Sequence, residues 1–414
     1  MENRIKENLH KPEVLEKLYR ANPAVFTAAF QQIYPDVQSE IAAQFWYERL
    51  RGVQSEITWG NLRDWVFVGI AALIVAFFMQ MPDLFSISHD FYYPRNMAFF
   101  VLPGMAGFFV FKQGLPFQRL LWPVVLLLFS VVFVNLLPDN LSSNTLILTC
   151  LHVPLLMWFL VGYVFSGAQR AEVKKRVNFL RFHGDLLVMS AVILLAGGLF
   201  TALTINLFNL IDIKIEDFYF RYLVLSVLPS VPLLATLLVH QNPTLVSKIS
   251  PVIARIFTPL VTVMLILFLC AFIYSGKDPY NDRDFLLIFN GVLVGVMALV
   301  LFSVSEATKE SSSFFQRISL VTLAVLAIVN NGIALSAIAF RLLELGITPN
   351  RLAVFGSNIL VLIHLILVTR ELLGLIRGQK NLGDVEASMT YFLPVYAIWA
   401  ALVSFVFPFV FSFQ

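Results

Sequence analysis

Asn350, Ser357, His364 and Glu371 follow one another every seven residues, a spacing that keeps four polar side chains on roughly one stripe of a helix. Just upstream, Ser319, Asn330 and Arg341 recur every eleven residues with Asn331 beside them, again nearly one stripe. Amides, a hydroxyl, an imidazole and ionisable groups in apolar surroundings have the chemistry to bind a polar solute or relay a proton. A charged residue at the centre of a membrane helix costs about 2.5 to 3.5 kcal/mol, so such stripes face a partner helix or water. His364 lies deepest and reads either as a neutral imidazole bonded across helices or as a proton-relay or ligand contact. Arg341 and Arg351 fall near an interface, where long cationic side chains snorkel. The candidate binding seam is therefore Asn330, Asn331, Arg341, Asn350, Arg351, Ser357, His364 and Glu371.

A second polar group is weaker. Thr145, Thr149 and His152 share one helix face ahead of Pro154, and Asn206 and Asn209 close the next apolar run; helix packing and a second binding site both fit. The stretch "GAQRAEVKKRVNFLRFHGD" carries Arg170, Lys174, Lys175, Arg176 and Arg181, which serve topology, anionic-lipid contact, or both. Asp185 is expected to open a helix at the interface, where a carboxylate suits the helix dipole, and Glu306 to be solvated. Cys150 and Cys270 lie within apolar runs and read as buried thiols. No metal or cofactor motif stands out: Asp278, Asp282 and Asp284 are interleaved with Lys277 and Arg283, as in a solvated turn. Phosphate-cradling glycine loops, zinc-protease pairs and Gly-x-Ser-x-Gly elbows are absent, and the loops are too short for a separate catalytic domain.

These residues sit in a very apolar chain: 58% hydrophobic, 14% aromatic and 13% charged, with a mean hydropathy of +0.80. That balance excludes a soluble domain, and the net charge of +3 gives no indication of a nucleic-acid partner. The expected fold is all-α, a polytopic transmembrane bundle. Runs near 20 residues, the length that crosses about 30 Å of hydrocarbon, number eleven: 65–81, 96–111, 120–137, 144–166, 185–210, 221–239, 252–275, 284–304, 317–341, 351–370 and 391–412. The second is the shortest and carries Pro103 and Gly104, so it is expected to be kinked or to cross incompletely. Roughly three quarters of the 29 Lys and Arg residues lie on the amino-terminal side of these runs, which predicts a cytoplasmic amino terminus and a periplasmic or extracellular carboxyl terminus. Residues 1–64 are polar, so no cleavable leader is expected. They form about three short amphipathic helices, beginning at Asn22-Pro23 and at Pro35-Asp36, too small to hold much core alone. Such a segment packs on the membrane domain of residues 65–414, lies at the surface, or docks a protein partner through residues 1–60.

Between the ninth and tenth runs, "GITPNR" reads as a tight helical hairpin: Gly346 ends one helix, Thr348 caps the next and Pro349 takes its first position. Asn350 and Arg351 are not required by that grammar. The surrounding "AFRLLELGITPNRLAVFGSNILVL" resembles the signature of a bacterial family of polytopic membrane proteins catalogued as a domain of unknown function. In that family an Arg precedes a Tyr-Gly-Leu-Thr-like turn and a second Arg; Arg341, Gly346, Thr348, Asn350 and Arg351 match, while Leu345 replaces the usual aromatic. The resemblance implies a multi-pass protein of a bacterial inner membrane and supplies no activity. Three function classes follow from the residues: a transporter or permease using the paired stripes, a non-catalytic subunit or envelope sensor docking a partner through its amino-terminal helices, and an enzyme acting on a lipid-linked substrate.

Overall fold

The computed structural model describes residues 1–53, 61–140, 142–168, 172–243, 249–275, 278, 280, 283–307 and 314–414; Arg170, Lys277 and Asp282 lie outside them. Every regular element among the described residues is helical, and the chain divides into two compact units, Met1–Trp59 and Gly60–Gln414.

The described residues of the first unit form four helices: α1 (Glu2–Glu7), α2 (Pro12–Ala21), α3 (Pro23–Val37) and α4 (Ile41–Val53). The Asn22 side chain accepts a 3.1 Å hydrogen bond from the Val25 N–H with Pro23 in the first turn, so α3 starts where its cap predicts. Pro35 does not open a helix. It lies inside α3, where its missing N–H removes one i→i−4 bond and the helix stops within a turn. The unit also has the core that three short helices were not expected to build: Ile5, Leu15, Phe26, Phe30 and Ile33 are buried, and Trp46 closes on Phe26 at 5.0 Å between ring centroids. The fourth helix and the aromatic side chains, each burying 150 to 250 Å², make the difference.

In the second unit the helices are α5 (Leu62–Phe85), α6 (His89–Gln113), α7 (Phe117–Leu136), α8 (Asn144–Phe165), α9 (Val173–Asn209), α10 (Glu216–Gln241), α11 (Ile249–Ser275), α12 (Arg283–Ala307), α13 (Phe314–Leu345), α14 (Pro349–Ile376), α15 (Leu382–Tyr391), α16 (Leu393–Phe405) and α17 (Phe407–Val410). Eleven spans among the described residues are long and apolar enough to cross a membrane, with α15 and α16 together making the last; each overlaps one of the eleven apolar runs, although the fifth starts at Val173 rather than 185 and the last covers Leu382–Phe405 rather than 391–412. The second span is not short, because α6 continues through Pro94 and Pro103 for 25 residues. Span ten packs antiparallel to span nine as the hairpin predicts: Gly346 has φ +80°, and the Thr348 side chain accepts from the Arg351 N–H with Pro349 at the helix start.

Among the described residues two large hydrophobic clusters fill most of this unit, with three smaller ones beside them. One is built mainly on α5 to α8 and the end of α10, the other on α11 to α15. The first half of α9 serves both, giving Phe179 and Phe182 to the first and Val177 and Leu180 to the second. Its second half, from Leu187 onward, is largely exposed, as a lipid-facing helix is. The Thr145 N–H donates to the Gln414 carbonyl at 2.8 Å and Asn350 Nδ2 to Asn144 Oδ1 at 2.5 Å. The starts of α8 and α14 and the carboxyl terminus therefore share one face of the bundle, and the α8–α9 turn lies at the other.

Candidate functional site

Asp185 and Glu306 are the acidic residues whose burial departs most from expectation. α9 begins at Val173 rather than at Asp185, because the basic stretch before it is itself helical, so Asp185 falls in the helix interior and is 6% exposed. Glu306 is 2% exposed, because α12 continues past the apolar run and its last turn is packed between neighbours. A buried carboxylate needs compensating partners.

The elements that supply them converge at the α8–α9 face. Ser250 on α11 donates its hydroxyl to Asp185 Oδ1 at 2.5 Å. One turn earlier on α9, Arg181 donates from Nε to the Ser305 carbonyl on α12 at 2.6 Å and from Nη2 to Glu386 Oε1 on α15 at 3.1 Å. Thr258 on α11 and Ser303 on α12 share a hydroxyl hydrogen bond of 2.8 Å. Gly184 makes the crossing possible: a Cβ there would stand 2.1 Å from the Phe302 ring, so only glycine lets α9 approach α12 this closely. Beside the cluster lies a cavity of about 50 Å³ whose walls include Arg255, Thr258, Ser303, Glu306, Arg317 and Ser319. At about 10 to 15 Å³ per water it has room for roughly three to five. Glu306 shares the cavity wall with Arg255 and Arg317, and Arg181 pairs with Glu386 beside it, an arrangement suited to a small ion, a zwitterion or a proton. Among the described residues no three His, Cys, Asp or Glu side chains converge on a metal-sized point.

The stripe on α14 meets other elements than α13. Asn350 binds Asn144 on α8, Ser357 Oγ accepts from Trp399 Nε1 on α16 at 3.0 Å, His364 Nδ1 pairs with the Tyr396 hydroxyl on α16 at 3.1 Å, and Glu371 forms an ion pair with Lys380 at 3.2 Å. Arg351 donates to the Leu345 and Gly346 carbonyls at 2.7 Å each, so it caps the end of α13. On α13, Asn330 Nδ2 donates to the Leu326 carbonyl within its own helix, while Asn331 is fully buried with neither side-chain polar atom hydrogen bonded among the described residues. Buried Arg341 Nη1 likewise has no such bond. Asn358, which the periodicity did not single out, reaches across to Asn290 on α12 at 2.7 Å. The eight seam residues are thus dispersed over several packed interfaces, and the two stripes are not joined to each other by hydrogen bonds among the described residues.

The second group is not assembled either. Thr149 bonds the Thr145 and Ser404 carbonyls, tying α8 to α16, and His152 Nδ1 pairs with the Leu148 carbonyl. Asn206 and Asn209 are exposed at the far end of α9, the latter bonded to Glu216. In the basic stretch Lys174 is exposed, Lys175 approaches the Ser166 carbonyl at 3.5 Å, and Arg176 donates to the Thr390 carbonyl at 3.2 Å. Cys150 is partly buried and Cys270 exposed, so the second thiol is not the core group expected.

The sequence did carry a signal for the carboxylate cluster. Ser250, Ala254, Thr258 and Thr262 recur every four residues, a small and hydroxyl-bearing stripe on α11, and Ser303 precedes Glu306 by one turn. No family model matches the chain, and no curated protein or solved structure matches it.

Proposed function

We propose that the chain is a transport protein of a bacterial inner membrane, with the amino terminus cytoplasmic, and that its working site is the Asp185–Glu306 cluster at the cytoplasmic end of the bundle. The carrying observation is the burial of these two carboxylates, at 6% and 2% exposure, beside a cavity of water size. Ionisable groups held inside a membrane domain mark ion pathways, solute sites and proton relays, because burial is too costly to be kept as a mere surface feature. The bias of Lys and Arg toward the α8–α9 face supports the orientation, and the likeness around Arg341 to Arg351 supports the bacterial setting.

The test is electrical. Full-length protein reconstituted in proteoliposomes on a solid support is exposed to jumps of proton, monovalent cations, amino acids and small carboxylates. At least one jump is expected to give a transient current that Glu306→Gln lowers tenfold or more. No current for any solute, or equal currents in the two proteins, contradicts the proposal.

A second reading rests on the amino-terminal unit, where Ile41 and Phe45 are 84% and 64% exposed on α4. Apolar side chains presented together on a small helical unit suit a protein partner. If docking is the role, Ile41→Ser with Phe45→Ser removes a stoichiometric partner from the purified protein while Glu306→Gln does not.

A further inference from the structure

On the flank of the membrane unit, α7, α8, the start of α9 and α16 border an open cleft with about 420 Å³ of space. Its walls are apolar along their length, with Trp122 and Leu126 on α7, Leu156 on α8 and Ala397 on α16. At one end the lining turns polar, with Ser166 where α8 ends and Arg176 where α9 begins. From Leu156 to Ser166 the cleft runs about 15 Å along α8 at roughly 1.5 Å per residue, half the hydrocarbon thickness of about 30 Å. It has the depth of one leaflet.

We propose that this cleft binds one acyl chain of an anionic phospholipid from the leaflet on the α8–α9 side, with the lipid phosphate held by Arg176. The setting decides for a lipid over a helix of a partner or of a second copy: the cleft lies on the flank of a bundle of membrane-length helices beside the exposed Trp122 and Ile398, where acyl chains are the surrounding medium. Charge decides the headgroup. Arg176 uses Nη1 on the Thr390 carbonyl and lies over the Tyr391 ring at 5.8 Å, which leaves its other N–H groups without a hydrogen-bond partner among the described residues, and the exposed Lys174 and Lys175 immediately precede it in the chain. A guanidinium fork is suited to a phosphate in two-point contact. The proposal is independent of the transport reading, since no residue of this cleft belongs to the Asp185–Glu306 cluster.

The full-length protein in nanodiscs of equal phosphatidylglycerol and phosphatidylcholine, released into the gas phase for native mass spectrometry, reads bound lipid directly. The wild type is expected to retain one phosphatidylglycerol. Arg176→Gln is expected to lower the preference for phosphatidylglycerol over phosphatidylcholine about fivefold, the effect of one cation near an anionic headgroup. Ala397→Trp, which fills the cleft while keeping Arg176, is expected to abolish retention. Both variants are checked for the wild-type helical spectrum and elution volume, and Val192→Trp on the exposed half of α9 controls for the added ring. Retention unchanged in Ala397→Trp, a headgroup preference unchanged in Arg176→Gln, or a wild type that carries no phosphatidylglycerol overturns the proposal.

Discussion

Asp185 and Arg351 show how differently two polar residues behave in one membrane domain. Arg351 is partly buried and closes the carbonyl end of α13, a structural task that answers why an arginine follows the hairpin turn. Asp185 is buried, and Ser250 reaches it from another helix. Asp185→Ala is expected to cost about 1 to 3 kcal/mol, because it leaves the Ser250 hydroxyl buried without its acceptor. Asp185→Asn keeps an acceptor and is expected to lose less. Thermal unfolding of the purified proteins in one detergent orders them, and equal midpoints for Asp185→Ala and wild type would show the carboxylate is not held as described. The role of Arg351 could not be read from spacing, since the acceptors are backbone carbonyls a turn away.

At the scale of elements, periodicity told which residues share a face and not which helix that face would meet. Asn350, Ser357 and His364 do form a stripe, yet it faces α8 and α16, because α13 and α14 meet through apolar positions, Leu323 and Ala327 clustering with Leu365 and Val368, and Ala337 with Val354. Helix starts were legible where a cap side chain and a proline coincide, at Asn22-Pro23 and Thr348-Pro349. The last span was harder to read, since Pro394 breaks it and its first part, α15, is capped by the Asn381–Asp384 capping box. Contacts that need the absence of a side chain carry no periodic signal at all. Gly184→Ala places a Cβ 2.1 Å from the Phe302 ring, and overpacking of that kind costs about 1 to 3 kcal/mol. Gly197→Ala on the same helix meets nothing within 4 Å and is expected to be neutral or slightly stabilising. A stability assay on the pair separates close approach of α9 and α12 from a general effect of glycine, and equal behaviour of the two variants would argue against that crossing.

At the scale of the molecule, the eleven spans were legible because hydrocarbon thickness sets their length, while the independent amino-terminal core was not, because short helices reveal little of their mutual packing. That core predicts that residues 1–53 unfold cooperatively on their own. Arg20 beside Glu16 is the main cause holding its carboxyl below the usual value of 4.5, with Arg49 adding to it. The contribution of this pair is fully present above that value and is lost as pH falls through the lowered folded value, so circular dichroism melts of the fragment should show Glu16→Gln converging on wild type in acid and differing from it near neutrality. For the whole chain the central claim is that water reaches the Asp185–Glu306 cluster and not the packed α14 stripe. It is tested most directly by replacing Cys150 and Cys270 with alanine, introducing Ser303→Cys or Ser357→Cys, and measuring reaction with a small membrane-impermeant thiosulfonate in sealed vesicles of either orientation. The account predicts labelling of the Ser303→Cys protein from the α8–α9 side and none of the Ser357→Cys protein; labelling of the second without the first would contradict it.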